Sequence, residues 1–116
     1  MKTLYWECAM GAAGDMLLAA LYELLEDKES FLRTMNSLLP QVELTPQIRT
    51  SCGISGVHMR VAVHGQEEHE HEHHHHHASP GHIAGLIDGF PLPEAVKAHA
   101  RGVYDAIAQA ESQVHG

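Results

Sequence analysis

Cysteine, aromatic residues and positive charge are all in short supply. Cys8 and Cys52 are too few for a disulfide scaffold, and with no secretory segment they read as reduced thiols of a cytosolic protein. The opening Met1-Lys2-Thr3-Leu4-Tyr5-Trp6 has the look of a signal peptide, but Glu7 and Asp15 interrupt its apolar run. No stretch approaches the roughly 20 apolar residues of a membrane span, so a membrane is not expected as a partner. Seven Lys and Arg against 15 Asp and Glu give a formal charge of −8 with His neutral, which makes a nucleic-acid backbone an unfavourable partner. Aromatics make up 5% of the sequence, while the apolar share, 44%, is ordinary for a globular chain. No internal repeat is visible.

Histidine is abundant instead: there are twelve. Seven of them fall in the eleven-residue run Glu67-Glu68-His69-Glu70-His71-Glu72-His73-His74-His75-His76-His77, whose other four residues are carboxylates. Such a run has no apolar periodicity and cannot form a core. Neutral imidazole is a good ligand for nickel, copper and zinc, and a His-rich tract is a compositional sign of metal binding. On extended chain alternate residues point the same way, so His69, His71 and His73 can converge on one ion. The run is internal and interleaved with Glu, unlike a purification tag. A solvated, disordered loop over 65–79 is its expected structure, and a loop of that kind can still collect metal. Below about pH 6.5 the imidazoles protonate and metal affinity falls, since only the neutral ring binds.

At 116 residues the chain reads as one small domain, 1–116, with a modest core. Thr3 to Cys8 reads as a short, mostly buried β-strand. A glycine-bracketed loop, Gly11-Ala12-Ala13-Gly14-Asp15, then opens a helix with a stripe of Leu17, Leu18, Leu21, Leu24 and Leu25. A second helix, capped by Ser30, carries Phe31, Leu32, Met35, Leu38 and Leu39 and ends at Pro40. From Gln41 the period changes to two. Val42, Leu44 and Ile48 point one way, and Pro46 marks an edge strand or a strand interrupted near its middle. After a turn at Gly53-Ile54-Ser55-Gly56, a third strand points Val57, Met59, Val61 and Val63 inward and His58, Arg60, Ala62 and His64 outward, completing an antiparallel hairpin. Beyond the His/Glu run, Ser79-Pro80 caps and begins a short helix closed by Gly89. The last helix repeats Val96, Ala100, Val103, Ile107, Ala110 and Val114 at steps of four and three, an apolar seam. The order β-α-α-β-β-loop-α-α favours an α+β two-layer sandwich with the helices on one face of a small sheet.

The Gly11–Asp15 loop, lying between a strand and a helix start, is a natural place for a phosphate or carboxylate, since free amides and the helix dipole point there. The alternative is a tight β-to-α turn in which Asp15 caps the helix. Cys8 beside it is either a thiolate favoured by the helix N-terminus or a small buried residue. Cys52 lies in the turn, exposed but without a CxxC partner. His58 and His64 share one strand face but stand too far apart for a common ion. His64 can join the tract, whereas His58 reads as solvated. His82, in the first turn after the loop, is a candidate fixed anchor for metal, and His99 and His115 read as surface residues. No Ser-His-Asp or Cys-His arrangement is readable from spacing.

The opening Leu4-Tyr5-Trp6-Glu7-Cys8-Ala9-Met10-Gly11-Ala12-Ala13-Gly14-Asp15-Met16 resembles the start of the LarC nickel-insertion family. The Gly53-Ile54-Ser55-Gly56 turn, the His-rich insert and the ending Ala110-Glu111-Ser112-Gln113-Val114-His115-Gly116 fit the same order. The chain thus resembles an N-terminal portion of that family. The resemblance implies a chelatase (a lyase) that inserts Ni(II) into the pyridinium-bisthiocarboxylic acid mononucleotide precursor of the nickel-pincer cofactor. It also implies CTP dependence, a second divalent ion (Mn or Mg) in the complete protein, and a C-terminal portion or subunit as partner. On this reading His69, His71, His73, His74, His75, His76, His77 and His82 gather nickel. Cys8 and Asp15 serve the transfer step, and Gly11 and Gly14 help hold the precursor. A non-enzymatic Ni/Zn/Cu buffer or metallochaperone is the alternative; it needs the tract but not the glycine loop.

Overall fold

A computed structural model describes residues 1–67 and 79–115. The chain divides into two compact units, Met1–Glu72 and His73–Gly116. Their elements run α1 (Gly14–Glu23), α2 (Lys28–Leu38), β1 (Val42–Ser51), β2 (Ile54–Val63), β3 (Gln66–Glu67), α3 (Pro80–Gly89) and α4 (Glu94–His115). The class is α+β as the sequence implies, but the order is α-α-β-β-β-α-α. Thr3–Cys8 is not a strand here: it has no strand to pair with and its residues are exposed. Apolar alternation makes a segment able to be a strand, but only a neighbour's backbone groups make it one.

The sheet is an antiparallel meander, β1-β2-β3. Its hairpin pairs Val42 with Val63 at one end and Ser51 with Ile54 at the other. The turn is therefore Cys52-Gly53, two residues at φ 50° and 77°, and not the four-residue Gly53–Gly56 turn read from sequence. Two left-handed residues give the primed turn whose twist matches the strands, so Ile54, Ser55 and Gly56 remain in β2. His64-Gly65 repeats the device, at φ 52° and 79°, and folds Gln66 and Glu67 back on Val63 and Ala62. That short third strand lies inside the stretch expected as loop.

The first unit's core joins Ala19 and Tyr22 of α1 to Leu44 of β1 and Met59 of β2, with Leu18, Leu25, Phe31, Leu32, Met35, Val57 and Val61 packed around them. Met59 is 1% exposed and is the largest fully buried side chain. The buried stripe of α1 is therefore Leu18-Ala19-Tyr22, rotated from the leucine stripe read from sequence, and Leu21 and Leu24 face outward. The small Ala19 brings α1 close to the sheet, while Tyr22 lays its ring against Phe31 at 6.1 Å. Two of the few aromatics thus meet where α1 and α2 join the sheet. The cap of α2 is Asp27, whose Oδ1 accepts from Ser30 N at 2.9 Å; Ser30 sits inside the helix instead of capping it. Ala62, placed on the outer face, is nonetheless fully buried, because it lies on the central strand between Glu43 and Glu67.

In the second unit Ser79 caps α3 and Pro80 occupies its first turn, as the sequence implies. Ile87 is buried there. Arg101 of α4 bonds Asp88, and its other amino group meets Glu94 at 2.7 Å. Lys97 Nζ donates to the Asp88 carbonyl at 3.2 Å, so basic side chains of α4 satisfy the end of α3. The seam residues Val96, Val103, Ile107 and Val114 are exposed.

Candidate functional site: a trough beside the first helix

Cys8 and Gly11 belong to one tight turn, in which Gly11 N donates to the Cys8 carbonyl at 3.0 Å. Gly11 sits at φ 107°, a conformation that favours glycine. Gly14 begins α1 with open space around it, so nothing there crowds out a Cβ. Ala13 holds the N-cap position without a side-chain cap, and Asp15 Oδ1 accepts from Met16 N at 2.9 Å. The negative charge of Asp15 in the first turn already complements the helix dipole and disfavours a bound anion at the same spot. Asp15 is therefore not a cap, and the loop is less of an anion cradle than its glycines suggest.

Asp15 instead lines a cavity of about 290 Å³ with Met16, Ala19, Ala20 and Glu23 of α1 and Gly56, Val57, His58 and Met59 of β2. Asp15, Ala19 and Glu23 recur every four residues, so one face of α1 carries both acids to the cavity. No Lys or Arg lines it. Its electrostatics favour a cation or cationic group and repel an anion. Sequence reasoning missed Glu23 and His58, although the spacing from Asp15 to Glu23 was a usable signal.

His58 is half-buried, not solvated. Its Nε2 donates to Glu67 Oε1 at 3.2 Å, and Arg60 Nε lies 3.7 Å from Glu67 Oε2. The His58 hydrogen bond, joined by Arg60 and Arg49, holds the Glu67 carboxyl below the usual carboxylate range against the opposing effect of burial. Glu67 thus roots the His/Glu run on the outer face of the sheet.

His69, His71 and His73–His77 lie outside the described residues. Among the described residues no three of His, Cys, Asp and Glu are grouped so as to hold a metal ion. His82 is exposed in the first turn of α3, and His64 is exposed in the second hairpin turn. Both cysteines are free and exposed, Cys52 at the tip of the hairpin. Cys8 does not line the cavity. No helix among the described residues is long and apolar enough to cross a membrane.

Fold and cavity together define a small α+β protein with an acid-lined trough between its first helix and its sheet. The family model for nickel insertion proteins matches residues 4–116, and the chain belongs to that family. It is 38% identical to the pyridinium-3,5-bisthiocarboxylic acid mononucleotide nickel insertion protein of Clostridium kluyveri, over all of this chain and 31% of that protein. The proteins of the same description from Staphylococcus epidermidis and Lactiplantibacillus plantarum are 37% and 38% identical, with 99% of this chain matched to 27% and 30% of theirs. The chain thus spans under a third of the length of these relatives. No solved structure matches it.

Proposed function

We propose that this protein serves nickel insertion into the pyridinium-3,5-bisthiocarboxylic acid mononucleotide, with nickel as the substrate. The observation that carries the reading is the family match across residues 4–116 in a chain that also bears seven imidazoles in eleven residues. His69, His71 and His73–His77 gather Ni(II) as neutral ligands, and His82 adds a donor on a helix. Nickel then exchanges imidazole nitrogen for the anionic sulfur of the precursor's thiocarboxylates. Cys8 and Asp15 serve that transfer step, with Gly11 shaping the turn and Gly14 opening the helix, and the precursor's anionic groups are held outside the acid-lined trough. The acids of the trough favour the incoming cation.

CTP and a second divalent ion do not fit the trough or any grouping among the described residues. The trough carries two carboxylates and no Lys or Arg, which repels a triphosphate, and the described residues hold no three-ligand group for Mn or Mg. No step is assigned to them in this portion. The second reading is a Ni/Zn/Cu buffer or metallochaperone that captures metal without chemistry of its own, and the imidazole density of residues 67–77 supports it equally.

The deciding experiment uses the complete protein at limiting nickel. Deleting residues 68–77 is expected to cut cofactor formation severely, with recovery at excess nickel. Cys8→Ala with Asp15→Asn is expected to cut it at any nickel concentration. Full activity of both variants sinks the insertion reading, and loss of capture alone favours the buffer. Calorimetric titration of this chain with Ni(II) adds a pH test. Affinity is expected to fall below about pH 6.5 as the imidazoles protonate.

A further inference from the structure

The two long edges of the sheet are finished differently. Ser51 and Ile54 flank a two-residue turn and form a hydrogen-bonded pair, so backbone groups alternate toward and away from the partner strand from there on. On β1 the outward set includes Leu44 and Pro46. Asn36 of α2 takes both groups of Leu44, accepting from its N–H at 2.7 Å and donating to its carbonyl at 3.2 Å, and Pro46 has no N–H to satisfy. That edge is guarded at Leu44 and Pro46. On β2 the outward set includes Ser55, Val57 and Met59, ahead of the stretch where Val63 pairs with Gln66, and among the described residues no strand or side chain takes their backbone groups. Leaving such groups unpaired beneath a helix is costly, and an unguarded edge is a template for another strand.

The trough runs along this second edge. Side chains alternate across a strand, so a cavity lined by four consecutive residues, Gly56–Met59, meets the strand's edge and not one of its faces. The other wall is α1, and α1 is preceded through Ala9–Ala13 by the segment that sequence reads as a strand. Thr3–Cys8 alternates Leu4, Trp6 and Cys8 with Thr3, Tyr5 and Glu7, and it stands exposed, Leu4 at 54% and Tyr5 at 80%.

We infer that Thr3–Cys8 is the occupant of this edge: in a second, closed state it adds to β2 as an antiparallel strand within the trough. A connection of two helices is long enough for this direction. A strand antiparallel to β2 is parallel to β1, and α1–α2 become the crossover between them with β2 in the middle, a split β-α-β unit. Docking buries Leu4 and Trp6, which share one face of the strand, against existing walls and gives Val57 and Met59 backbone partners. Because the Cys8 end joins the start of α1, docking sets the thiol at the end of the trough that Asp15 lines. The inference stands apart from the nickel reading and its test uses no metal.

Residue-resolved amide exchange on the whole chain tests it. The Val57 and Met59 amides are expected to be protected like those of His58 and Arg60, which face β1. In a variant lacking residues 1–8 they should exchange faster by roughly tenfold, the size of one backbone hydrogen bond, while His58 and Arg60 keep their protection and report an intact hairpin. Leu4→Pro with Tyr5→Pro should do the same in a full-length chain, should truncation impair folding. Fast exchange at Val57 and Met59 in the intact chain overturns the inference, as does protection that survives both variants. Protection that rises with protein concentration assigns the edge to a second copy, and protection lost on deleting residues 68–77 assigns it to that segment; either outcome also overturns it.

Discussion

The two units draw on similar apolar side chains and reach different depths with them. In the sheet unit Ala19, Tyr22, Leu44 and Met59 are buried together beneath two helices. In the helical unit Ile87 is buried, while Val96, Val103, Ile107 and Val114 of α4 are exposed. A sheet presents one flat apolar face that two helices can cover at once, whereas two antiparallel helices share only one stripe each. The helical unit is tied instead by ion pairs, Asp88 and Glu94 on Arg101 and Glu94 on Lys97 at 3.4 Å. Such exposed pairs fix orientation more than they add stability.

The largest test of that contrast is Met59→Ala, which opens a cavity in the only fully buried large side chain of the described core and should cost about 2–5 kcal/mol in urea unfolding of the sheet unit. Helical signal from α3–α4 should outlast it. Ile87→Ala should cost nearer the bottom of that range, about 2 kcal/mol, because its surroundings are thin and relax; an effect as large as that of Met59 would show the second unit to have a hidden core. Asp27→Ala removes the cap of α2 and should cost about 1 kcal/mol by the same measurement.

Acid gives the smallest effect and compares the units directly. Among the described residues each has one carboxylate held below its ordinary value of 4.5, Glu67 mainly by the His58 hydrogen bond and Glu94 mainly by that from Arg101. A lowered carboxyl pKa contributes stability in full above the unfolded value, and that contribution is lost as pH falls through the lowered one. NMR titration should place both midpoints below 4.5, and His58→Ala and Arg101→Ala should each return one of them toward it while leaving the other unmoved. Coupled movement would mean the two units are not electrostatically separate.

Much of the first unit was legible. Period-two alternation marked the hairpin, Pro46 fits its edge, and Val57, Met59 and Val61 were placed inward correctly, while Val63, read with them, is 39% exposed. The misreadings share a cause. Whether Gly53–Gly56 is turn or strand depends on which two residues take positive φ, and four turn-prone residues in a row leave that open. The leucine stripe of α1 competed with Leu18-Ala19-Tyr22, and the choice fell to the helix that could approach Met59 most closely. Of the candidate site, Asp15 and the Cys8–Gly11 turn could be placed by their residue types. Glu23 was open to the four-residue spacing from Asp15, whereas the roles of His58 and Asn36 could not be placed, since each acts on a residue whose position only folding sets.

Composition alone determined that this protein concentrates metal ligands, because imidazole density is a property of the chain however it folds. The opening motif and the elements after it likewise carry the family. Tertiary structure decided which stretch of the sheet edge is guarded, which acids share a cavity, and that Thr3–Cys8 stands unpaired. Strand pairing and cavity lining are relations between distant residues, and their energies exist only once the backbone has brought the partners together.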